Sequence, residues 1–303
     1  MSVSQNSFFK VANAKPFLKW AGGKTQILND IKNFLPAGFA EKEITYIEPF
    51  AGSGAVLFSI LSSFSNIQSA VINDVNEDLI NVYRVIAEYP EELIVYLKQL
   101  EYEYLSLNGE NQKEYFYAKR SLFNLRSSSK IIQAALFIFL NRTCFNGLYR
   151  VNKNNCFNVP VGSYKKPLIC NSENILAVSA VLQKVEILTA DFEKTYEYAS
   201  EDSFFYFDPP YKPITVSSSF NSYSKDKFDD EEQIRLYNFC VKLDKNNIKW
   251  MLSNSDVKSA DAENYFFDEL YSGFNIRRVK ATRRINSNAQ KRGLLNELII
   301  TNY

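Results

Sequence analysis

The stretch Ile47-Glu48-Pro49-Phe50-Ala51-Gly52-Ser53-Gly54 lies between a short β-branched and aromatic run, 45–48, and apolar residues at helical spacing over 55–64. Strand, glycine turn and helix in immediate succession form the opening unit of a parallel α/β sheet. Closely spaced glycines let a ligand approach the backbone, and the start of the helix adds unpaired N–H groups. Leu57 stands where the third glycine of a dinucleotide fingerprint would fall. A two-glycine loop suits a nucleoside without a pyrophosphate better than it suits NAD. Asp74, 20 residues beyond Gly54, closes the next apolar run at 70–73. At a strand tip its carboxylate can accept hydrogen bonds from both hydroxyls of a ribose. Taken singly, these pieces are a tight turn and a helix-capping aspartate; their spacing makes them one candidate site.

The alternation continues along the chain. Runs at 185–188, 203–207, 248–252, 276–280 and 297–301 have strand composition, and helices are expected over 77–87 and near 229–243. The fold class is an open, largely parallel α/β sheet, with the closing strands expected as antiparallel edge elements. The interval from 82 to 171 carries helical periodicity and then an Asn-, Gly- and Lys-rich stretch, and it is too long for a simple crossover. An inserted domain at 83–170 is expected, with 1–82 and 171–303 forming the sheet domain.

Composition narrows the function. The chain has 303 residues, 46% hydrophobic and 23% charged, enough to bury a sizeable core. Its first ten residues, MSVSQNSFFK, lack the basic start and apolar run of a secretory signal, and the densest apolar run, 131–140, is too short to span a bilayer. A cytoplasmic monomer is expected. There is no histidine, and Cys144, Cys156, Cys170 and Cys240 form no CxxC pair. That argues against a zinc cluster, so no metal is expected, and it removes Ser-His and Cys-His nucleophile pairs.

The formal net charge of +1 conceals segregation. Residues 115–172 hold nine of the 35 Lys and Arg and none of the 34 acids; residues 271–296 hold seven and none. Two such segments point to a face for a polyanion, because phosphate contacts supply most non-specific nucleic-acid affinity. Asn and aromatic residues interleaved with the cations at 141–166 favour nucleic acid over a merely solvated helix face.

The tetrapeptide Asp208-Pro209-Pro210-Tyr211 ends the apolar run 203–207. Ligands of open α/β sheets bind beyond the carboxyl ends of strands, so it belongs beside the glycine loop. Two prolines hold the chain extended and donate no hydrogen bonds, leaving an acceptor-rich corner next to an aromatic ring. The Asp208 carboxylate and the Pro209 carbonyl can accept both N–H groups of an exocyclic amine and aim its lone pair at an electrophilic methyl, while Tyr211 stacks on the base. A base inside a duplex cannot reach such a corner and must be flipped out, at a cost of roughly a few kcal/mol. Upstream, Phe17-Leu18-Lys19-Trp20-Ala21-Gly22-Gly23-Lys24 looks like a shortened phosphate loop, but the GxxxxGK spacing is absent.

These strings together resemble the Dam-type N6-adenine DNA methyltransferases. FLKWAGGK (17–24), IEPFAGSG (47–54), NDVNEDLI (73–80), NGLYRVN (146–152), FNVPVGSYKKP (157–167), ADFE (190–193) and FDPPY (207–211) occur in that family's order over nearly the whole chain. The resemblance implies a Rossmann-like S-adenosylmethionine-dependent sheet with an inserted, mainly helical target-recognition domain. It implies cofactor contacts at Trp20, Lys24, Phe50, Gly52, Gly54, Asp74, Asp191, Phe192 and Asp208, and catalysis by Asp208, Pro209 and Tyr211. It implies that Arg150 reads a guanine, that Lys19, Phe145, Asn146, Leu148, Pro160 and Tyr164 contact double-stranded DNA, and that the target is GATC. Phe145 departs from the pattern, since relatives often carry tyrosine there, which keeps stacking and loses any hydroxyl contact. The alternatives are a cytosine-N4 methyltransferase, whose tetrapeptide more often begins with Ser, an RNA adenine methyltransferase, and a non-catalytic DNA-binding protein with a decayed cofactor fold.

Overall fold

The computed structural model of the chain describes residues 14–20, 22–212, 228–259, 261–282 and 294–303. Ala21 and the middle of the second basic segment, 283–293, lie outside the described residues. Seven strands, β1 (Ile44–Glu48), β2 (Ile67–Asn73), β3 (Val185–Leu188), β4 (Ser203–Phe207), β5 (Lys249–Ser255), β6 (Asn275–Thr282) and β7 (Leu294–Thr301), form one sheet in the order β3-β2-β1-β4-β5-β7-β6. Pairing is parallel from β3 through β5, and β7 is antiparallel to both β5 and β6.

The closing strands pair antiparallel at one side of the sheet, as expected, but not in chain order. The strand that runs against the rest, β7, lies inside the sheet, while β6 holds the edge and runs parallel to the others. After β6 the chain turns back and slots β7 beside β5, so the reversed strand is covered on both sides.

Side chains alternate between two cores. Tyr46, Ala70, Ile72, Phe204 and Tyr206 join one cluster, whereas Ile47, Val71, Phe205 and Phe207 join the other. Both faces being buried explains why β4 reads as an unbroken aromatic run and not as an apolar–polar alternation. On the second face lies α8 (Asp230–Lys245), begun by Asp229, whose side chain accepts from the Glu231 and Glu232 amides.

The first face is covered by α2 (Ala55–Ser63), α3 (Glu77–Glu88) and α7 (Ser172–Leu182), and its core continues into α4 (Pro90–Ser106), α5 (Gly109–Leu125) and α6 (Lys130–Thr143). Asn76 caps α3 by accepting from the Leu79 amide, and Ser129 caps α6 by accepting from Ile132. The apolar run at 131–140 is the interior of α6, buried from Ala134 through Asn141. Among the described residues no helix is long and apolar enough to cross a membrane. Beyond α6, two isolated bridges, Cys144 with Val161 and Val151 with Phe157, fold the Asn- and Gly-rich stretch back on itself. Two short helices, α1 (Leu28–Asn33) and α9 (Phe266–Leu270), are the remaining α-helices among the described residues.

Candidate active site

From β1 the chain winds outward through β2 and β3, then returns to lay β4 on the other side of β1. The switch in direction opens a crevice above the carboxyl ends of β1 and β4, the place where open α/β sheets bind ligands. Ile47 is level with Phe205 across these strands. The glycine loop and the Asp208 tetrapeptide therefore leave the sheet side by side.

Several elements hold the tetrapeptide. Asp208 Oδ1 accepts from Lys24 Nζ at 2.7 Å and from Ser253 Oγ at 3.3 Å, and the same Nζ donates to the Gly22 carbonyl at 2.7 Å and lies 4.4 Å from the Tyr211 ring centre. The Pro210 carbonyl accepts from Gln233 on α8 at 3.2 Å, and the Lys212 carbonyl accepts from Ser255 on β5 at 3.2 Å. Tyr211 donates its hydroxyl to Glu297 Oε2 at 2.9 Å. Lys24 is only 2% exposed, so its ammonium is committed to this corner.

Two carboxyl groups here are electrostatically unusual. Burial pushes Asp208 up to about 6, with Lys24 pulling it back down and Glu297 adding to the rise. Glu48, at the end of β1, is pushed up to about 8 by burial, although the Tyr46 hydroxyl donates to it at 2.8 Å. The crevice therefore holds one acid that is mostly ionised near neutral pH beside one that is mostly protonated.

The glycine loop shows why its residues are glycines. Gly54 has φ +72°, and a Cβ there would meet the Tyr83 hydroxyl at 2.7 Å and Phe58 at 2.8 Å. Gly52 donates to Asp74 Oδ2 at 3.1 Å, Asn76 donates to Asp74 Oδ1 at 2.9 Å, and each oxygen retains further acceptor capacity. Trp20 stacks on Tyr149 at 5.6 Å, with Gly52 against its indole edge. Across the crevice Phe50 packs on Phe192 at 5.4 Å, and Asn73 ties the two loops together by donating to the Pro49 and Ala190 carbonyls at 3.0 Å each. Asp191 is engaged by Arg235 of α8, whose guanidinium donates to both carboxylate oxygens at 3.0 and 2.7 Å and lies 4.3 Å over the Phe192 ring.

Apart from Lys19, the residues expected to meet DNA fall on the folded-back stretch. Lys19 lies across Gly147, and its Nζ sits 3.8 Å over the Tyr164 ring. Asn141, buried in α6, exchanges hydrogen bonds with the Lys19 backbone and donates to the Gly147 carbonyl. Phe145 donates its amide to the Pro160 carbonyl at 2.8 Å and is half exposed, and Asn146 follows with φ +55°. Leu148 is partly buried against the core, and exposed Arg150 donates from Nε to Asn158 Oδ1 at 2.7 Å. Part of the basic surplus is structural: Arg126 pairs with Asp78, Arg142 donates to the Phe17 carbonyl, and Arg278 pairs with Asp256 and Asp268. Lys153, Lys165 and Lys166 are exposed.

Ser253, Gln233, Arg235, Asn141, Asn158 and Glu297 were not picked out from the sequence. Ser253 carried a usable signal, a polar residue following the apolar run 248–252 in a sheet whose strand ends face the crevice. Glu297 carried none, because it reaches the crevice only through the reversed direction of β7, which puts the start of that strand opposite the end of β5, with Glu297 level with Ser255.

Sheet order, glycine loop and acceptor corner together define a Rossmann-like methyltransferase fold. The profile of the D12 class of N6 adenine-specific DNA methyltransferases matches residues 20–285. The chain is similar to Type II methyltransferase M.MjaIII of Methanocaldococcus jannaschii, with 50% identity covering 95% of this chain and 99% of the relative. It is also similar to Type II methyltransferase M1.LlaDCHI of Lactococcus lactis subsp. cremoris, with 40% identity over 96% of each chain. The DNA adenine methylase of Escherichia coli K12 shares 32% identity over 94% of each chain. The chain belongs to the D12 class of N6 adenine-specific DNA methyltransferases, and it is a DNA adenine methyltransferase.

Proposed function

We propose that the chain uses S-adenosylmethionine to methylate the N6 of an adenine flipped out of duplex DNA, at GATC sites. The observation that carries this reading is the Lys24 ammonium, an N–H-bearing nitrogen 2.7 Å from Asp208 and over the face of Tyr211. A corner that holds an N–H-bearing nitrogen between a carboxylate and an aromatic face presents the kind of partners an adenine amino group needs.

The cradle fits the cofactor. Gly52 and Gly54 admit close approach, Asp74 has acceptor capacity for a ribose, and Phe50 and Phe192 form an apolar wall suited to an adenine ring, with Asp191 beside it. Trp20 lies against Gly52, and Lys24 closes the side toward Asp208. When bound, S-adenosylmethionine supplies a sulfonium-activated methyl whose bonding electrons return to sulfur, giving S-adenosylhomocysteine. Asp208 and the Pro209 carbonyl hold the two amino hydrogens and turn the nitrogen lone pair toward that methyl, and Tyr211 stacks on the base. As the N–C bond forms, the nitrogen releases one proton toward Asp208, whose carboxyl, raised to about 6, holds a proton more readily than an exposed one.

Residues 83–170 act as the target-recognition unit, and 1–82 with 171–303 as the catalytic one. Arg150, held at Nε by Asn158, reads a guanine through its two terminal nitrogens, and Lys19, Phe145, Asn146, Leu148, Pro160 and Tyr164 line the DNA face. Support for GATC is the resemblance carried by NGLYRVN and FNVPVGSYKKP. The test is to express the chain in cells lacking adenine methylation and digest their DNA with a GATC-cutting nuclease blocked by N6-methyladenine. Protection is expected; cleavage at GATC with N6-methyladenine mapped elsewhere contradicts the assignment.

A further inference from the structure

We propose that Glu297 is a positioning residue of the methyl-transfer site, fixing the Tyr211 ring against the target base; this rests on the reading of 208–211 as the acceptor corner. The profile match ends at residue 285, so Glu297 lies beyond it. Its carboxylate accepts the Tyr211 hydroxyl at 2.9 Å, the hydrogen bond that fixes the outer end of that ring. Tyr211 is only partly buried, and its ring position is set by two side-chain torsions. Glu297 can serve as a fixed point because β7 is paired on both sides there, level with Ser255 on β5 and Val279 on β6.

Strand β5 holds the chain on either side of the ring. Ser253, on β5, donates to Asp208, and Ser255, level with Glu297, donates to the Lys212 carbonyl. The hydrogen bond to Glu297 adds the side-chain anchor to these main-chain and carboxylate anchors. A carboxylate accepting a phenol hydroxyl also makes the ring richer in electrons. Such a ring attracts a cation at its face, and Lys24 Nζ already sits 4.4 Å from its centre. The target nitrogen gains positive charge at that face as it is alkylated, so orientation and charge act in the same direction.

The experiment compares Glu297→Ala, Glu297→Gln, Tyr211→Phe, the Glu297→Ala/Tyr211→Phe double variant and Asp208→Ala in single-turnover methyl transfer to unmethylated duplex DNA. Melting temperature and the affinities for S-adenosylhomocysteine and DNA are measured on each. Glu297→Ala is expected to slow transfer roughly 10-fold at saturation with both affinities within about 2-fold of wild type, and Glu297→Gln, which keeps the acceptor, to stay within about 3-fold. Tyr211→Phe is expected to match Glu297→Ala, with the double variant no slower than about 2-fold below either single one, because both remove one shared contact. Wild-type transfer by Glu297→Ala, or losses that multiply in the double variant, overturn the role of Glu297 while Asp208→Ala stays inactive. Active Asp208→Ala instead overturns the underlying reading of the corner.

Discussion

Lys24 Nζ and Asp208 Oδ1 lie 2.7 Å apart, an ion pair in which the lysine is 2% and the aspartate 22% exposed. Burial raises the Asp208 carboxyl and Lys24 is the largest influence lowering it, with a balance near 6. An acceptor corner needs Asp208 ionised, so kcat/KM is expected to fall as pH drops through about 6. Lys24→Met removes the opposing charge, and the acid limb is expected to move upward by about one unit. A pH–rate profile checks this; a limb that stays in place or moves down contradicts it.

Glu48 provides a stability signature. Its carboxyl, raised by burial to about 8, keeps a proton in the folded chain that the unfolded chain releases above about 4.5. The folded state therefore binds more protons across that window, and stability contributed at this site falls as pH rises from about 4.5 to 8. Glu48→Gln mimics the protonated form. Its melting temperature relative to wild type is expected to rise between pH 5 and pH 8 by about 5 °C; an offset that does not change with pH excludes this assignment.

The base-reading role proposed for Arg150 is separable by experiment from a charge contact. Its Nε is engaged by Asn158 at 2.7 Å, leaving the terminal nitrogens for a bidentate contact. Arg150→Ala is expected to cost about 1–3 kcal/mol of discrimination at one G·C pair, and Asn158→Ala to cost part of that by freeing the side chain. Methylation rates on duplexes altered one base pair at a time measure it. Equal weakening on every sequence, with a shallower salt dependence, marks a phosphate contact instead.

Much of the framework was legible because local chemistry and tertiary role coincide. The runs at 185–188 and 203–207 are β3 and β4 to the residue, and β4, buried on both faces, is a continuous apolar run. Gly52, Gly54 and Asp74 could be grouped by spacing, and the structure joins Gly52 to Asp74 through the Gly52 amide. The placement of β7 was not legible, because period-two pattern carries no strand direction. Nor was Arg235: a cation in the middle of an amphipathic helix reads as solvated, and only the fold brings it onto Asp191. The basic run at 115–172 was legible as charge but not as use, since Arg126 and Arg142 are spent inside the molecule.

The most direct measurement is made on Asp208→Ala with methyl-labelled S-adenosylmethionine and unmethylated duplex DNA, quantifying N6-methyladenine by mass spectrometry alongside DNA affinity. Loss of roughly three orders of magnitude or more in transfer, with DNA binding largely retained, is the expected result. Near-normal N6-methyladenine from this variant would show that the amino group is received elsewhere, and the acceptor corner at 208–211 would lose its role.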